Sequence, residues 1–516
     1  MSQGISGKVL GAVVIWLVLL GICAVVYKFV FAPRGREVVV QQSGSTPVHD
    51  TEIMVALDSF SGYCVLRSPA FRRELDAQAI GLNLVDDQAN YGQRIQTLRS
   101  GETPFAVFTV DALLTASARL GETPGTIVMV IDESNGADAM VAYKQGVPNL
   151  NALDKPDARF VVTRDSPSET LARVVMASFR LPQLPASPWI DAQGAEDVLR
   201  QFQAAKPDDP RAYVMWEPHV SRALETPGAH ILIDSSKFQS KIVDVLVIQR
   251  AYLLENEPLV KKVIEAYRRA AYELERQPGG MAKAVRDDAE QQRAPLSEAQ
   301  AKQLAAKILW KNTQENYAHF GVLAGEASRG LQPLDEIMRG IVAVLQKTGG
   351  LETDPTGGQP HQWYYDKIAR AMLDEHFHPG LIVGGADETI RGQRTAEELT
   401  DPQWNGLTEI GTLEVEPLVF ARGTSQLTPQ SKLVLDRLAE TLKSFPSYYV
   451  IVRGNARREG DPTANKQLAE ARAKEAAAHL LNAGIATTRI RALGSEPMPT
   501  GGEAQTVKFV LGQRPF

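Results

Sequence analysis

The stretch YVIVRGNARREGDPTANKQLAEARA, residues 449–473, carries the most informative local pattern of this 516-residue chain. Four apolar residues from Tyr449 to Val452 predict a buried strand. The polar stretch that begins at Gly454 and runs through Asn465 predicts a loop. The residues after it, including Arg472, predict a helix. The stretch is therefore predicted to fold as strand, loop and helix.

This pattern resembles the OmpA-like domain, a module with which envelope proteins bind peptidoglycan. The resemblance extends over residues 412–516 and includes a leucine-bearing helix at 433–442 and a closing strand at 507–511. In that family an Asp in a Gly-His-Thr-Asp loop takes the ammonium group of diaminopimelate, and an Arg in the next helix takes its carboxylate. The resemblance implies a small α/β domain that docks on peptidoglycan or on an envelope partner.

One charged contact of that family is altered here. The loop reads GNAR at residues 454–457, so the base Arg457 stands where the family has an acid. A guanidinium repels an ammonium group that a carboxylate would attract. Arg472 and Asn465 keep the family spacing, and either Glu459 or Asp461 is a candidate source of the missing negative charge. The resemblance implies a degenerate peptidoglycan site at Arg457, Asp461, Asn465 and Arg472, and the alternative is that Arg472 is a surface arginine of a domain with another partner.

An apolar segment lies near the amino terminus. Residues 9–27 contain no charge, and residues 9–31 contain only Lys28, close to the ~20 residues that cross a bilayer as a helix. The run is longer than the apolar part of a signal peptide, so we expect an uncleaved transmembrane anchor at 9–31. Residues 9–27 lack Asp, Glu and His, unlike the proton-handling span of flagellar stator subunits, which favours anchoring alone.

The composition limits the function classes. Hydrophobic residues make up 44% and charged residues 22%, the net charge is −6, and no basic tract indicates nucleic-acid binding. Cys64 is the only cysteine outside the apolar segment, so it cannot form an intrachain disulfide there, and we interpret it as a buried apolar residue. No metal cluster, cofactor motif or nucleophile–base pair is evident, so an enzyme is not expected.

The central region, residues 51–380, is long enough for two lobes, with the second lobe at about 141–240. Short apolar runs alternate with amphipathic segments, which predicts α/β layers with a mostly parallel sheet in a two-lobed arrangement. Residues 297–320 and 331–346 are each predicted to form one helix. Residues 32–50 and 381–411 are predicted to be linkers.

Polar loops follow the predicted strands, where ligands of open α/β sheets bind. The candidate ligand-binding residues are Asp58, Ser59, Tyr63, Asp111, Ser134, Asn135, Asp138, Ser166, Ser168, Trp216 and Glu217. Alternatives remain for several of them. Ser166 has the pattern of a helix N-cap that forms a capping box with Glu169, Trp216 could be a core residue, and Glu217 could pair with an arginine such as Arg222.

These loops resemble periplasmic substrate-binding proteins of the nitrate, sulfonate, taurine and thiamine-precursor group of ABC transporters. The motifs that carry the resemblance are Gly62-Tyr63, residues 134–138, WEPHVSRA at 216–223 and DVLV at 244–247. It implies a type II periplasmic-binding-protein fold that closes over a small ligand. The acids in these loops disfavour a bare oxyanion, so a ligand with a basic or hydrogen-bond-donating part, stacked on Tyr63 or Trp216, is expected.

Two hypotheses follow. The first is a solute-binding protein for transport or sensing, single-pass in the inner (cytoplasmic) membrane, with residues 1–8 in the cytoplasm and the carboxyl-terminal bulk in the periplasm. Its partners would be a small-molecule ligand, peptidoglycan, and an ABC permease or another envelope protein. The flanking charges do not settle the orientation, which rests on the two resemblances. The second hypothesis is a structural scaffold that bridges the membrane and the wall and has a non-functional cleft.

Overall fold

The computed structural model describes residues 49–323, 331–380, 391, 396–443, 445–456, 460–497 and 507–514. The anchor predicted at 9–31, the predicted site residue Arg457 and the candidate acid Glu459 lie outside these residues. Within the described residues, no helix combines the length and the apolar character that crossing a membrane requires.

The strands, in chain order, are β1 Thr51–Leu57, β2 Ile80–Asp86, β3 Phe105–Thr109, β4 Gly125–Ser134, β5 Asp138–Tyr143, β6 Phe160–Thr163, β7 Trp189–Ala192, β8 Ala212–Trp216, β9 Ala229–Asp234, β10 Val243–Gln249, β11 Ile308–Trp310, β12 Thr408–Thr412, β13 Tyr449–Ala456, β14 Ile490–Pro497 and β15 Val507–Gln513. The helices are α1 Cys64–Arg67, α2 Pro69–Asp76, α3 Tyr91–Ser100, α4 Val110–Leu120, α5 Pro167–Ser178, α6 Gly194–Gln203, α7 His219–Leu224, α8 Arg250–Glu255, α9 Glu257–Arg276, α10 Gly280–Gln291, α11 Glu298–Ala305, α12 Thr313–His319, α13 Leu334–Lys347, α14 Asp366–Asp374, α15 Asp401–Asn405, α16 Pro429–Lys443 and α17 Pro462–Asn482.

Two sheets form two lobes. The first lobe has the strand order β11-β4-β10-β3-β1-β2, and the second has β7-β6-β8-β5-β9. Strand β1 is parallel to β2 and β3, whereas β10 is antiparallel to β3 and β4. In the second lobe β5 is antiparallel to β8 and β9. The prediction of a mostly parallel sheet is therefore wrong, because strands next to the crossings between the lobes run against their neighbours.

The chain crosses between the lobes twice. Residues 135–137 connect β4 to β5, and residues 235–242 connect β9 to β10; we call these two stretches the hinge segments. The Ser134 and Ser235 hydroxyl oxygens lie 2.7 Å apart, and the Gly136 amide donates to Ser235 Oγ at 2.7 Å. These hydrogen bonds hold the two crossings side by side. Helix α13 packs on α4 of the first lobe and on α5 of the second.

The segment predicted as one helix at 297–320 is interrupted by a strand. Helix α11 ends at Ala305, β11 pairs antiparallel with β4, and α12 begins at Thr313. Asn312 starts α12 with a capping box in which Glu315 takes part. The prediction of one helix is wrong because the apolar residues of β11 find a partner strand, and the capping box then begins a new helix.

The carboxyl-terminal domain has the strand order β12-β15-β13-β14, with α17 packed on β13 and β14. A Cβ at Gly454 would lie 2.0 Å from the Ala469 carbonyl oxygen of α17, so the close approach of helix and strand requires glycine there. Gly454 was predicted to be in a loop. It lies in β13, which continues to Ala456 and pairs with β14 and β15.

The linker predicted at 381–411 is only partly one. Helix α15 places Trp404 against Tyr449, with ring centroids 5.4 Å apart, and β12 pairs with β15. The domain therefore begins within the predicted linker, because Trp404 is buried against its sheet.

The carboxyl-terminal domain is packed on the second lobe. The Arg180 amide donates to the Thr412 carbonyl and the Glu414 amide to the Ser178 carbonyl, both at 2.9 Å. Phe238 of the second hinge segment meets Phe445 edge to face at 5.2 Å. Apolar side chains of both parts belong to one continuous core. The domain is thus docked through backbone pairing and apolar contact.

Candidate ligand-binding cleft

A buried cleft lies between the lobes beside the hinge segments. It is lined by Asp58, Phe60, Tyr63, Tyr91, Thr109, Asp138, Pro167, Trp216, Ile242 and Asp244. Its volume is about 10 Å³, room for roughly one water molecule. Three carboxyl groups and four aromatic rings line it, and the described lining residues include no Lys, Arg or His. In this conformation the cleft is closed.

Asp58, directly after β1, is held by a buried arginine. Arg94 Nη2 lies 3.0 Å from Asp58 Oδ2 and 2.5 Å from Asp87 Oδ1. The Arg94 side chain is 0% exposed, and its Nη1 donates to the Val107 carbonyl. One guanidinium therefore serves two carboxylates, which leaves the group one negative charge in excess when both are ionised.

On the same wall, the Tyr63 hydroxyl donates to Asp244 Oδ1. Asp132 is the register partner of Asp244 on the adjacent strand β4, and both are buried. Burial raises the pKa of both carboxyls, and repulsion between them raises that of Asp244 further. A Cβ at Gly62 would come within 2.6 Å of Asp132 Oδ2, so glycine leaves room for this carboxyl.

The second lobe contributes Asp138 and Trp216, which are register partners on β5 and β8. Asp138 Oδ1 and Trp216 Nε1 are buried, and neither has a hydrogen-bond partner among the described residues. Burial raises the pKa of Asp138 to about 7, with further increases from the nearby Asp111 and Asp58. Buried polar atoms without partners destabilise a fold, so these two atoms are the clearest sign of a site.

Contacts across the cleft hold the lobes together. Thr170 Oγ1 of the second lobe donates to Asp111 Oδ2 of the first at 2.6 Å, and Arg119 pairs with Asp165. Burial raises the pKa of Asp111 to about 6, although the hydrogen bond from Thr170 opposes the rise.

The structure brings four predicted ligand residues together at the cleft: Asp58, Tyr63, Asp138 and Trp216. Asp111 lies near them and joins the lobes through Thr170. These five side chains form the part of the predicted site that the fold assembles in one place.

The other predicted residues do not line the cleft. Ser59 is half-buried beside it, and Ser134 ties the hinge segments together. Asn135 lines a separate cavity of about 240 Å³ between the hinge segments and the carboxyl-terminal domain. The Glu217 carboxylate accepts hydrogen bonds from Ser221 and pairs with Lys307 at 2.5 Å. Its partner is therefore this lysine and not Arg222.

Ser166 caps α5, as one alternative predicted. Its Oγ accepts a hydrogen bond from the Ser168 amide at 3.2 Å. The predicted capping box with Glu169 is wrong. The Glu169 carboxylate instead accepts hydrogen bonds from the Arg164 and Arg173 side chains and from the Asp165 amide.

Sequence reasoning missed Tyr91, Thr109 and Asp244, which line the cleft, and Asp132, which is buried next to Asp244. Asp132 and Asp244 had a readable signal, because each is an acid within an otherwise apolar strand. A charged residue in a strand that is buried throughout needs a partner or a changed protonation state.

In the carboxyl-terminal domain, Asp461 is the N-cap of α17 and accepts the Thr463 amide at 2.8 Å. Asn465 lies in the first turns of that helix. The Arg472 guanidinium lies 4.9 Å from the Phe420 ring, and its Nε donates to the Thr424 carbonyl at 3.0 Å. Arg472 is thus oriented by its own domain.

Residues 419–508 match the model of the OmpA family. This match confirms the resemblance predicted for the carboxyl-terminal domain. Among curated protein sequences, none matches the chain.

Solved structures resemble the two-lobed part. The ligand-binding component of an ABC-type import system from Staphylococcus aureus, with zinc bound, is 12% identical, covers 62% of this chain and 98% of its own, and has a TM-score of 0.46. The alkanesulfonate-binding protein from Xanthomonas axonopodis pv. citri, bound to MOPS, is 15% identical over 62% and 99%, with a TM-score of 0.46. The periplasmic nitrate-binding protein from Synechocystis PCC 6803 is 8% identical over 64% and 90%, with a TM-score of 0.47. Two of these three proteins are named for alkanesulfonate and nitrate binding.

Proposed function

We propose that this chain is an extracytoplasmic solute-binding protein that captures a small organic ligand between its lobes, for transport or sensing. One observation carries the proposal. Polar side chains of both lobes converge on one buried cleft, and two of their atoms, Asp138 Oδ1 and Trp216 Nε1, have no partner among the described residues. A ligand that bound there would supply the missing partners. We expect binding without catalysis.

Ligand entry requires the lobes to separate. The hinge segments are two short crossings, which suits a hinged opening. Opening would break the hydrogen bond between Thr170 and Asp111 and the ion pair between Arg119 and Asp165. Closure over a ligand would withdraw it from water, but the lobes would stop short of the ligand-free closed form, whose cleft of about 10 Å³ has room for roughly one water molecule. The binding free energy of the ligand must therefore offset the loss or lengthening of these two contacts.

The proposal includes a location. Residues 9–31 would anchor the chain in the inner membrane, and the carboxyl-terminal domain would dock on peptidoglycan or on an envelope protein such as an ABC permease. The apolar run at 9–31 supports the first part, and the OmpA family match supports the second. Because that domain is docked on the second lobe, the wall contact and the cleft would belong to one body.

A second candidate is a scaffold that bridges the membrane and the wall. The closed cleft favours it, since a volume of about 10 Å³ holds roughly one water molecule. In this case Asp244, whose pKa burial raises, would keep its proton, and the lobes would remain closed.

Lobe motion separates the two candidates. Spin labels at Glu102→Cys in the first lobe and Asp157→Cys in the second, both exposed sites, would report the distance between the lobes in full-length protein that also carries Cys23→Ser. The remaining Cys64 is buried. A solute-binding protein should show two distance populations, and a metabolite fraction that raises the melting temperature should shift them.

The Asp138→Asn and Trp216→Ala variants should lose both responses. The matched control Asp209→Asn changes an acid that pairs with Arg211 just before β8, at the end of that strand opposite Trp216, and it should keep them. One invariant distance, with no metabolite fraction changing the melting temperature, would support the scaffold instead.

A further inference from the structure

The cleft and its surroundings hold more acid than base. Five buried aspartates, which we call the cleft acids, interact electrostatically around it: Asp58, Asp111, Asp132, Asp138 and Asp244. Arg94 pairs with Asp58, and it also serves Asp87. Two nearby lysines are engaged elsewhere, Lys307 with Glu217 and Lys311 with Glu133. Most of the cleft acids therefore have no cation of the described chain beside them.

A second, independent observation indicates a ligand. Trp216 Nε1 is a buried donor without a partner in the described part of the chain, and the residue lines the cleft next to Asp138, its register partner. The rings of Tyr63, Tyr91 and Trp216 surround the same space. Aromatic faces attract cations, and an indole N–H needs an acceptor.

The charges decide which ligand class fits. An anion would enter beside carboxyl groups and meet repulsion in a medium that screens it poorly. A cation with N–H groups would form charge-assisted hydrogen bonds with the same oxygens, which are stronger than neutral ones. Without such a partner, a buried carboxyl avoids the cost of its charge by keeping a proton.

We propose, on the basis of the solute-binding function above, that the ligand is a small organic cation, an amine or amidine that also bears one hydrogen-bond acceptor. Its charged group binds Asp138 Oδ1 and Asp244 Oδ2, and its acceptor receives the Trp216 indole N–H.

Binding of a cation at these two carboxyls should change the number of protons that the protein holds. The groups that face the two binding carboxyls are Asp58, Asp111, Asp132, Tyr63 and Glu217, with Arg94 one step removed. Burial and the neighbouring acids hold the pKa of Asp138 at about 7. A cation stabilises the ionised carboxyls, so binding near pH 7 must release protons. An anion that bound the same groups would instead cause proton uptake.

The test is isothermal titration of the full-length protein in detergent at pH 7, in two non-amine buffers of different ionisation enthalpy. The probes are ethanolamine and acetamidine as cations, methanesulfonate and nitrate as anions, and ethylene glycol as a neutral molecule. We expect at least one cation to bind with proton release and the anions not to bind. Asp138→Asn should weaken cation binding at least tenfold and reduce the proton release.

Trp216→Phe keeps the aromatic face and removes the N–H, so it should weaken ethanolamine, which has an acceptor, more than acetamidine, which has none. The control Asp209→Asn, just before β8 at the end far from Trp216, should change the binding of neither cation. Binding of an anion or the neutral probe, or proton uptake on binding, would overturn the cation assignment and leave the solute-binding function intact. If no probe binds and the two spin labels report one fixed distance, both proposals fail.

Discussion

Asp132 and Asp244 are directly paired across strands β4 and β10, and both carboxyls are buried beside the cleft. Two buried carboxyls on directly opposed residues cannot both be ionised without a large cost in free energy, because each charge is desolvated and repels the other. The Tyr63 hydroxyl donates to Asp244, and no cation is paired with either acid among the described residues. The pair therefore holds at least one proton at neutral pH, which makes stability depend on pH.

The first prediction is that the protein loses stability as the pH rises from about 6.5 to 8. The pKa of Asp138 is about 7, and those of Asp132 and Asp244 are also raised. A carboxyl with a higher pKa in the folded state than in the unfolded state contributes stability that is complete below its unfolded pKa of about 4, falls as the pH rises from there to the folded pKa, and changes no further above it. Between its two pKa values each such group loses about 1.4 kcal/mol per pH unit, so Asp138 contributes to the slope mainly below pH 7, and Asp132 and Asp244 contribute across the window.

Few groups oppose this trend inside the window. Burial lowers the pKa of His219 and His319 to about 4, so their stabilising effect is complete by pH 6.5, and Lys241, whose pKa burial lowers to about 8, opposes the trend only near the upper end. Thermal unfolding across the window measures the slope. Asp132→Asn should flatten it, because the mutual repulsion is gone, and Asp209→Asn, which changes an acid paired with Arg211, should not. A melting temperature that stays constant or rises in wild-type protein would contradict the protonated pair.

The second prediction concerns Arg94. Arg94→Met removes the cation from two buried carboxylates, Asp58 and Asp87, and should cost about 3 to 5 kcal/mol in the free energy of unfolding. Arg73→Met is the matched control, because Arg73 forms an exposed pair with Glu273 that contributes at most about 1 kcal/mol. Urea unfolding measures both. An equal decrease in the free energy of unfolding in the two variants would contradict the prediction that burial makes the Arg94 ion pairs more important for stability than an exposed pair.

The sequence predicted the cleft where acids follow strands. Asp58 and Trp216 stand at the ends of apolar runs, and strand ends are where α/β ligands bind. Asp132 and Asp244 lie inside strands, where the surrounding apolar residues predict a core position and not a ligand site. The pairing of Arg94 with Asp58 could not be predicted, because it depends on how helix α3 packs on the sheet of the first lobe. Many other arginines of the chain also lie on predicted amphipathic helices, so the local sequence does not distinguish Arg94 from them.

The fold was predictable where apolar runs are long. Strands β3 and β10 are buried almost throughout, and their runs identify them. Strands β7 and β9 are partly solvent-accessible, so their residues form no continuous apolar run from which a strand could be predicted. The docking of the carboxyl-terminal domain depends on matched surfaces far apart in the chain, and no local pattern encodes such a match.

The third prediction concerns that docking. Phe445→Ala removes the ring that packs on Phe238, and such a change in a core costs about 3 to 5 kcal/mol. The single calorimetric transition expected of wild-type protein should then divide, with the carboxyl-terminal domain melting first. Leu433→Ala on α16 is the control, because Leu433 is 54% exposed, and it should leave one transition. Unchanged melting in Phe445→Ala would show that the contact does not couple the two parts.

The fourth prediction concerns the anchor. If residues 9–31 span the membrane, full-length protein should stay in the membrane fraction after washing with high salt, because an apolar helix of about 20 residues does not leave the bilayer when charges are screened. Deletion of residues 9–27 should release the protein. External protease should degrade the wild-type ectodomain in spheroplasts. A natural soluble form that begins after Ala32 would contradict the uncleaved anchor.

The fifth prediction concerns the wall. Arg472 is oriented by Phe420 and Thr424, and in the related family an arginine at this position binds the diaminopimelate carboxylate. Arg457 replaces the acid that would bind the ammonium group. Arg457→Asp should therefore strengthen sedimentation with purified sacculi, and the gain is on the order of 2 kcal/mol or more if the site is desolvated, which is more than tenfold in affinity.

Arg472→Ala should remove the binding that remains in wild-type protein. Arg437→Ala is the matched control, because Arg437 is exposed on α16 and pairs with Glu416; it changes the net charge equally and should leave sedimentation unchanged. Tight wild-type binding that neither Arg457→Asp nor Arg472→Ala alters would place the wall contact elsewhere on the domain. A further outcome is that wild-type protein does not bind sacculi and that Arg457→Asp does not bind them either. The domain would then carry the charges of the family's site and still not bind peptidoglycan, so the same surface would instead serve a protein partner.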